Sequence, residues 1–233
     1  MVMQKKGAII LQARMNSARL PGKVLKDLLG KPILKHIVDH LSNNQSNLKV
    51  ILATSDQATD DPVEKYCNDN AIEVFRGDLD NVAKRFVDCI NKYSLDFFVR
   101  ICADSPLSNT QILDQLVDTF LKKNCTLVCN TFPRSFPKGL SAEVLCAKDF
   151  IVSYDNFEGD ECEHITQFFY KQAVKFNVIN LRSANNYSDI NLSIDTQEDF
   201  DRIEAFMKSI NEDIHRLTYK ELMNSYNSFI KNY

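Results

Sequence analysis

Residues 11–25 read Leu11-Gln12-Ala13-Arg14-Met15-Asn16-Ser17-Ala18-Arg19-Leu20-Pro21-Gly22-Lys23-Val24-Leu25, and the rest of the chain can be placed around them. Gly7 and the apolar run Ala8-Ile9-Ile10-Leu11 lead into the segment, a composition that suits a buried strand. From Arg14 to Lys26 there are four cations, Arg14, Arg19, Lys23 and Lys26, and no acidic residue. Pro21-Gly22 places a turn among them, so the cations can curl round a common point. Open α/β sheets bind ligands beyond the carboxyl ends of their strands. Backbone N–H groups with Arg and Lys side chains in that position suit a polyphosphate. On charge alone the alternative is a solvated basic loop. The segment is not a P-loop, because Gly22-Lys23 runs into Val24 and lacks the upstream glycine.

Working outward, strand and helix signals alternate. Ile33, Leu34, Ile37, Val38 and Leu41 form a helical stripe, opened by Lys31-Pro32 with proline at its first turn. His36 and His40 lie four apart on it. No third ligand or catalytic glutamate accompanies them, so they are expected at the surface or in a subunit contact. Val50 to Thr54 is the second strand, and Asp61-Pro62 with Glu64 starts the next helix. Ile72 to Phe75 and Phe97 to Cys102 are further strands, the helix between them turning Val82, Phe86, Val87 and Ile90 inward. Ile112 to Leu121 is helical, and Thr126 to Cys129 is a fifth strand. Alternation of this kind predicts an α/β fold, a mostly parallel central sheet with helices on both faces. After Asn130 turn formers dominate. Ala142 to Cys146, Lys175 to Leu181 and Ile190 to Ile194 are the remaining strand candidates. Asp195-Thr196 with Asp199, and Thr218 with Glu221, cap the last helices. The expected organisation is one domain over 1–233, with a substrate-side insertion near 131–185.

Composition narrows the partners. The chain has 233 residues, 44% hydrophobic and 25% charged, with a net charge of −3, which is ordinary for a globular protein. That balance argues against non-specific nucleic-acid binding, so an anion site must be local. No segment has the apolar length of a membrane span, and residues 1–6 lack the apolar core of a signal peptide. Seven cysteines without a Cys-x-x-Cys pair argue against a disulfide frame or zinc site. A cytoplasmic location is expected.

Two carboxylates stand out by position. Asp104 follows the strand Phe97–Cys102 and Asp195 follows Ile190–Ile194, so both can project from one sheet edge. Such carboxylates hold Mg²⁺ beside substrate phosphates in phosphoryl transfer. The alternative is that each caps the next element.

The pattern Ala13-Arg14, Ser17, Arg19-Leu20-Pro21, Lys23 and Leu25, followed by Gly30-Lys31-Pro32, resembles the signature of the bacterial sugar cytidylyltransferases. These are the CMP-sugar synthetases that activate 2-keto-3-deoxy-octonate and the nonulosonic acids. The later motifs most resemble the spore coat polysaccharide (SpsF-type) branch. The resemblance implies a Rossmann-like nucleotidyltransferase that transfers CMP from CTP to a sugar-like acceptor and releases pyrophosphate. It implies Mg²⁺ on Asp104 and Asp195, triphosphate binding by Arg14 and Lys23, and backbone contacts to the base from Leu11, Gln12 and Ala13. Gly77 and Asn81 match residues that border the cytosine. A homodimer is also implied.

Two positions depart from the pattern. Cys102 stands where the octonate synthetases place a base-reading glutamine, and Ser141 stands where the SpsF branch has an aspartate. On the acceptor side Glu143, and His164 in Glu163-His164-x-Thr166, match the branch, and Lys138 can meet an acceptor carboxylate or phosphate. A transferase using another nucleotide and a catalytically silent nucleotide-binding module remain alternatives.

Overall fold

The computed structural model describes residues 5–210 and 213–233. Its first half consists of β1 (Gly7–Gln12), two short strands β2 (Asp27–Leu28) and β3 (Lys31–Pro32), α1 (Ile33–Leu41), β4 (Lys49–Ser55), α2 (Asp61–Asp69), β5 (Glu73–Gly77), α3 (Val82–Tyr93), β6 (Phe97–Cys102) and α4 (Thr110–Lys122). The second half adds β7 (Leu127–Cys129), β8 (Glu143–Cys146), α5 (Ala147–Tyr154), α6 (Gln167–Lys171), β9 (Val178–Asn180), α7 (Gln197–Ser209) and α8 (Tyr219–Ile230).

Seven of the strands form one sheet in the order β5-β4-β1-β6-β8-β7-β9. All neighbours run parallel except β8, which is antiparallel to both β6 and β7. The sheet is buried on both faces, which is why its strands are apolar runs without alternation. Ile9, Leu11, Val99 and Ile101 pack one face against α1, α4, α7 and α8. Ala8, Ile10 and Phe98 pack the other against α3, α5 and α6. The expected mostly parallel sheet between helices is therefore the observed one. The chain leaves β1 toward β4 and β5 on one side and reaches β6 on the other. That reversal opens a crevice at the carboxyl ends of β1 and β6. Within 131–185, β8 and β9 pair into this same sheet.

Some local expectations change. His36 and His40 are buried, and His215 from the segment before α8 packs on them, with His36 Nδ1 3.4 Å from His215 Nε2. The third histidine is far off in sequence, so the helical spacing of the first two could not announce it. Ile190 to Ile194 is not a strand. It makes one bridge, Lys138 with Asn191, because the Asn191 side chain turns to Asp199 and to Ser193. Lys31-Pro32 pairs with β2, and the helix starts at Ile33. The residue before α2 is Asp60, not Asp61, and its carboxylate is used elsewhere. Residues 1–4, part of the segment read for a leader core, lie outside the described residues. Among the described residues no helix is long and apolar enough to cross a membrane.

Candidate active site

A cleft of about 400 Å³ opens at the carboxyl ends of β1 and β6, lined by Gln12, Ala13, Arg14, Ser17, Arg19, Lys23, Cys102, Asp104, His164 and Asp195, among others. The loop after β1 is folded back on itself. Met15 O accepts from Ser17 N at 2.9 Å and from Gly22 N at 2.8 Å. Gly22 closes this turn at φ +72, a left-handed conformation that glycine adopts without strain. The loop is anchored from below by Asp60, fully buried in the turn between β4 and α2. One of its carboxylate oxygens accepts from Met15 N at 2.7 Å; the other accepts from Thr54 Oγ1, Ser55 N and Ser55 Oγ.

The turn delivers Lys23 into the cleft. Its Nζ donates to Ile194 O at 2.8 Å and to Asp195 Oδ1 at 2.9 Å, and lies 3.6 Å from Asp104 Oδ2. Asp104 and Asp195 therefore converge on one ammonium group. Their backbones are tied as well, Ile194 N donating to Asp104 O at 2.8 Å. Asp195 also receives Lys138 Nζ at 2.6 Å and Arg19 Nη2 at 3.1 Å. Burial alone would raise the Asp195 pKa, but Lys138 and Lys23 overcome it and pull it down to about 2. Lys138 reaches this point because Gly139, at φ +91, packs on the chain at Leu192. A Cβ there would come within 2.4 Å of the Leu192 carbonyl carbon.

Asp199 does not face the cleft. It accepts from the backbone N–H of Asp195 and Thr196 and pairs with Arg202, so it caps α7 and fixes Asp195 in place. The cleft thus offers two carboxylates for a metal. Among the described residues no cluster of three or more His, Cys, Asp or Glu side chains could hold one. A hard cation bound there would complete its shell with phosphate oxygens and water, the usual environment of Mg²⁺.

The remaining sequence candidates are distributed unevenly. Arg14 is half-exposed at the rim and pairs with Glu163 at 3.1 Å. His164 is exposed and lines the cleft. Leu11 is buried inside β1 and lies in the ladders to both β4 and β6, so only Gln12 and Ala13 of that trio reach the cleft. Gly77 and Asn81 lie at the end of β5 and the start of α3 and do not line it. Asn81 caps α3 through Lys84 N and donates to Tyr154 OH. Ser141 accepts from Arg134 Nη1 at 3.0 Å. Glu143 is buried away from the cleft lining, held by Arg100 Nη1 at 2.8 Å and by the Tyr170 hydroxyl. Burial pushes the Cys102 thiol up to about 11, so it meets the cleft neutral.

Sequence reasoning missed Asp60 and Arg100. Arg100 carries a signal in hindsight: a charge inside the apolar run Phe97–Cys102 requires a buried partner. Asp60 carries none, being one of two adjacent aspartates before a proline.

Residues 8–228 match the model of the family described as Cytidylyltransferase. Over 211 residues the chain is 29% identical to the spore coat polysaccharide biosynthesis protein SpsF of Bacillus subtilis, covering 87% of each chain. Similarity to the 3-deoxy-manno-octulosonate cytidylyltransferase of Escherichia coli is 29% over 112 residues, covering 48% of this chain and 45% of that one. The solved structure of a cytidylyltransferase from Leptospira borgpetersenii superposes with a TM-score of 0.92 at 27% identity, covering 98% of this chain and 96% of that one.

Proposed function

The chain belongs to the cytidylyltransferase family, and from that premise we propose that it transfers CMP from CTP to a sugar or sugar-acid acceptor in surface polysaccharide synthesis, with Mg²⁺ on Asp104 and Asp195. The observation that carries this reading is the placement of Lys23 between those two carboxylates in a cleft rimmed by Arg14 and Arg19. Relatives named for spore coat polysaccharide and octulosonate chemistry support the acceptor class.

Each residue has a task in this reaction. Arg14 and Arg19 take triphosphate oxygens, for which the guanidinium fork is suited. Both are exposed enough to leave their present carboxylate partners when phosphate enters. Lys23 stays at the α-phosphate, where negative charge develops. Lys138, on Asp195, and His164, in the cleft lining, are the residues assigned to the acceptor. The acceptor oxygen bonds to the α-phosphorus as the bond to the β-phosphate oxygen breaks. Pyrophosphate leaves with that electron pair, and a hydroxyl acceptor gives its proton to solvent. When bound, Mg²⁺ supplies neutralisation of the phosphate charge.

The test is pyrophosphate release from CTP, UTP, ATP and GTP with a panel of sugars, keto-sugar acids and sugar phosphates, with and without EDTA. CTP-dependent, EDTA-sensitive release with at least one acceptor is the expected result. Release from a different nucleotide, or none while CTP still binds, would point to another transferase or to a binding module.

A further inference from the structure

The walls of the cleft differ in chemistry. Arg14, Ser17, Arg19 and Lys23 form a cationic side fit for phosphates, whereas Gln12, Ala13, Cys102 and Ala103 form a side without formal charge. The first side suits the phosphates of a nucleotide and the second its base. On that second wall Gln12 is the one side chain with a strong hydrogen-bonding group. It sits at the carboxyl end of β1, opposite Cys102 in the parallel ladder.

The orientation of its amide is fixed by its neighbour. Gln12 Oε1 accepts from both Nε and Nη2 of Arg100, each at 3.3 Å. Arginine has only donors, so the amide oxygen must face Arg100 and the amide nitrogen must face away. Among the described residues that nitrogen has no hydrogen-bond partner. Arg100 cannot readily turn aside. Its Nη1 is held by Glu143 Oε2 at 2.8 Å, the other Glu143 oxygen accepts from the Tyr170 hydroxyl, and Tyr170 OH lies 2.8 Å from Thr131 Oγ1. The side chains of Arg100 and Glu143 are only 15% and 8% exposed.

We infer that Gln12 is the residue that distinguishes cytosine from uracil, its amide nitrogen held toward the base as an obligate donor by the Arg100–Glu143–Tyr170 chain. This rests on the CTP reading above. On the Watson–Crick edge the bases differ at N3, an acceptor in cytosine, whereas the O2 acceptor is common to both, so the amide nitrogen distinguishes them by facing N3. Uracil carries a hydrogen at N3, which would oppose the amide N–H. A glutamine free to rotate would serve both bases, since it can present either end of its amide; one anchored by two donors presents only N–H. Arg100 touches no nucleotide in this scheme and acts as a positioning residue.

The test is direct titration of CTP and UTP, without acceptor, against the intact protein and three variants. The wild type should prefer CTP. Gln12→Glu keeps the shape and the contact to Arg100 but exchanges the donor for an acceptor. It should weaken CTP about tenfold or more and level or reverse the CTP/UTP ratio. Gln12→Met, which removes the amide with little change of size, should weaken CTP and leave UTP within about twofold. Arg100→Lys keeps the charge against Glu143 but loses the fork, so the amide can flip and the ratio should fall through tighter UTP binding. An unchanged ratio in both Gln12 variants overturns the inference while leaving CTP use intact. An unchanged ratio in a folded Arg100→Lys protein overturns the role of the chain. A wild type without CTP preference refutes the underlying reading instead.

Discussion

Asp195 and Glu143 are both poorly exposed carboxylates set against cations, and they behave as opposites. Asp195 is met by Lys23, Lys138 and Arg19, and the last two reach it on side chains that are 48% and 63% exposed. Glu143 is met by Arg100 and Tyr170, both held within the fold. An exposed cation can exchange a carboxylate for a phosphate at small cost, because water solvates it on the way. A buried pair has no such exchange, since separating it strands a charge in a poorly solvated site. The first arrangement suits a centre that reorganises around a substrate. The second is a strut that holds one geometry.

The difference is sharpest in stability. Arg100→Met leaves Glu143 buried without its cation and should cost about 3–5 kcal/mol in urea unfolding. Lys138→Ala, at the exposed centre, should cost no more than about 1 kcal/mol in the same measurement. Comparable losses for the two would erase the distinction.

Activity should respond the other way round. Asp104→Asn and Asp195→Asn are nearly isosteric and remove the charge a metal requires. Each should slow turnover by about a hundredfold or more. Asp104→Asn should leave the unfolding midpoint close to that of the wild type, whereas Asp195→Asn, which takes the nearest counter-charge from the buried Lys23 ammonium, should lower it as well. The two losses should be non-additive if, as proposed, the two carboxylates share one ion. Near-normal turnover in either variant would make that aspartate a cap and not a ligand.

The histidine cluster offers a third case, titratable groups in the interior that form no ion pair among the described residues. Burial, acting first, lowers the pKa of His36 and takes His40 and His215 to about 4. At His215 the neighbouring His40 and His36 and then Lys31 add to the lowering, as Lys31 does at His36. The hydrogen bond to Leu28 O, with Asp39 and Asp27, opposes it at His36, and Asp213 opposes it at His40 and His215. In the unfolded chain these groups protonate near 6.5, so as pH falls the unfolded state takes up protons first. Their contribution is complete above about 6.5 and is lost as pH falls from there toward 4. Urea midpoints at pH 7.5 and pH 5 should show the decline, and His215→Gln should flatten it. A decline of the same size in that variant would place its origin elsewhere.

The sequence by itself determined the sheet, its two covered faces and the cationic turn, because these rest on short-range chemistry. Strand runs, helical stripes and capping boxes such as Thr196 with Asp199 are written within a few residues of one another. It also singled out Asp104, Asp195, Arg14 and Lys23, which meet in one cleft. Only the tertiary structure decided how they are partnered. Lys23 and Asp195 are 172 residues apart and Gln12 and Arg100 are 88 apart, so their contacts depend on which strands are neighbours and in what register. For the same reason Glu143, adjacent in sequence to acceptor-side motifs, became a strut in β8 beside Arg100 of β6. Asp60, one of a pair of aspartates before a proline, became the anchor of the loop after β1. Such roles depend on strand order and burial, which are properties of the packed chain and not of any window within it.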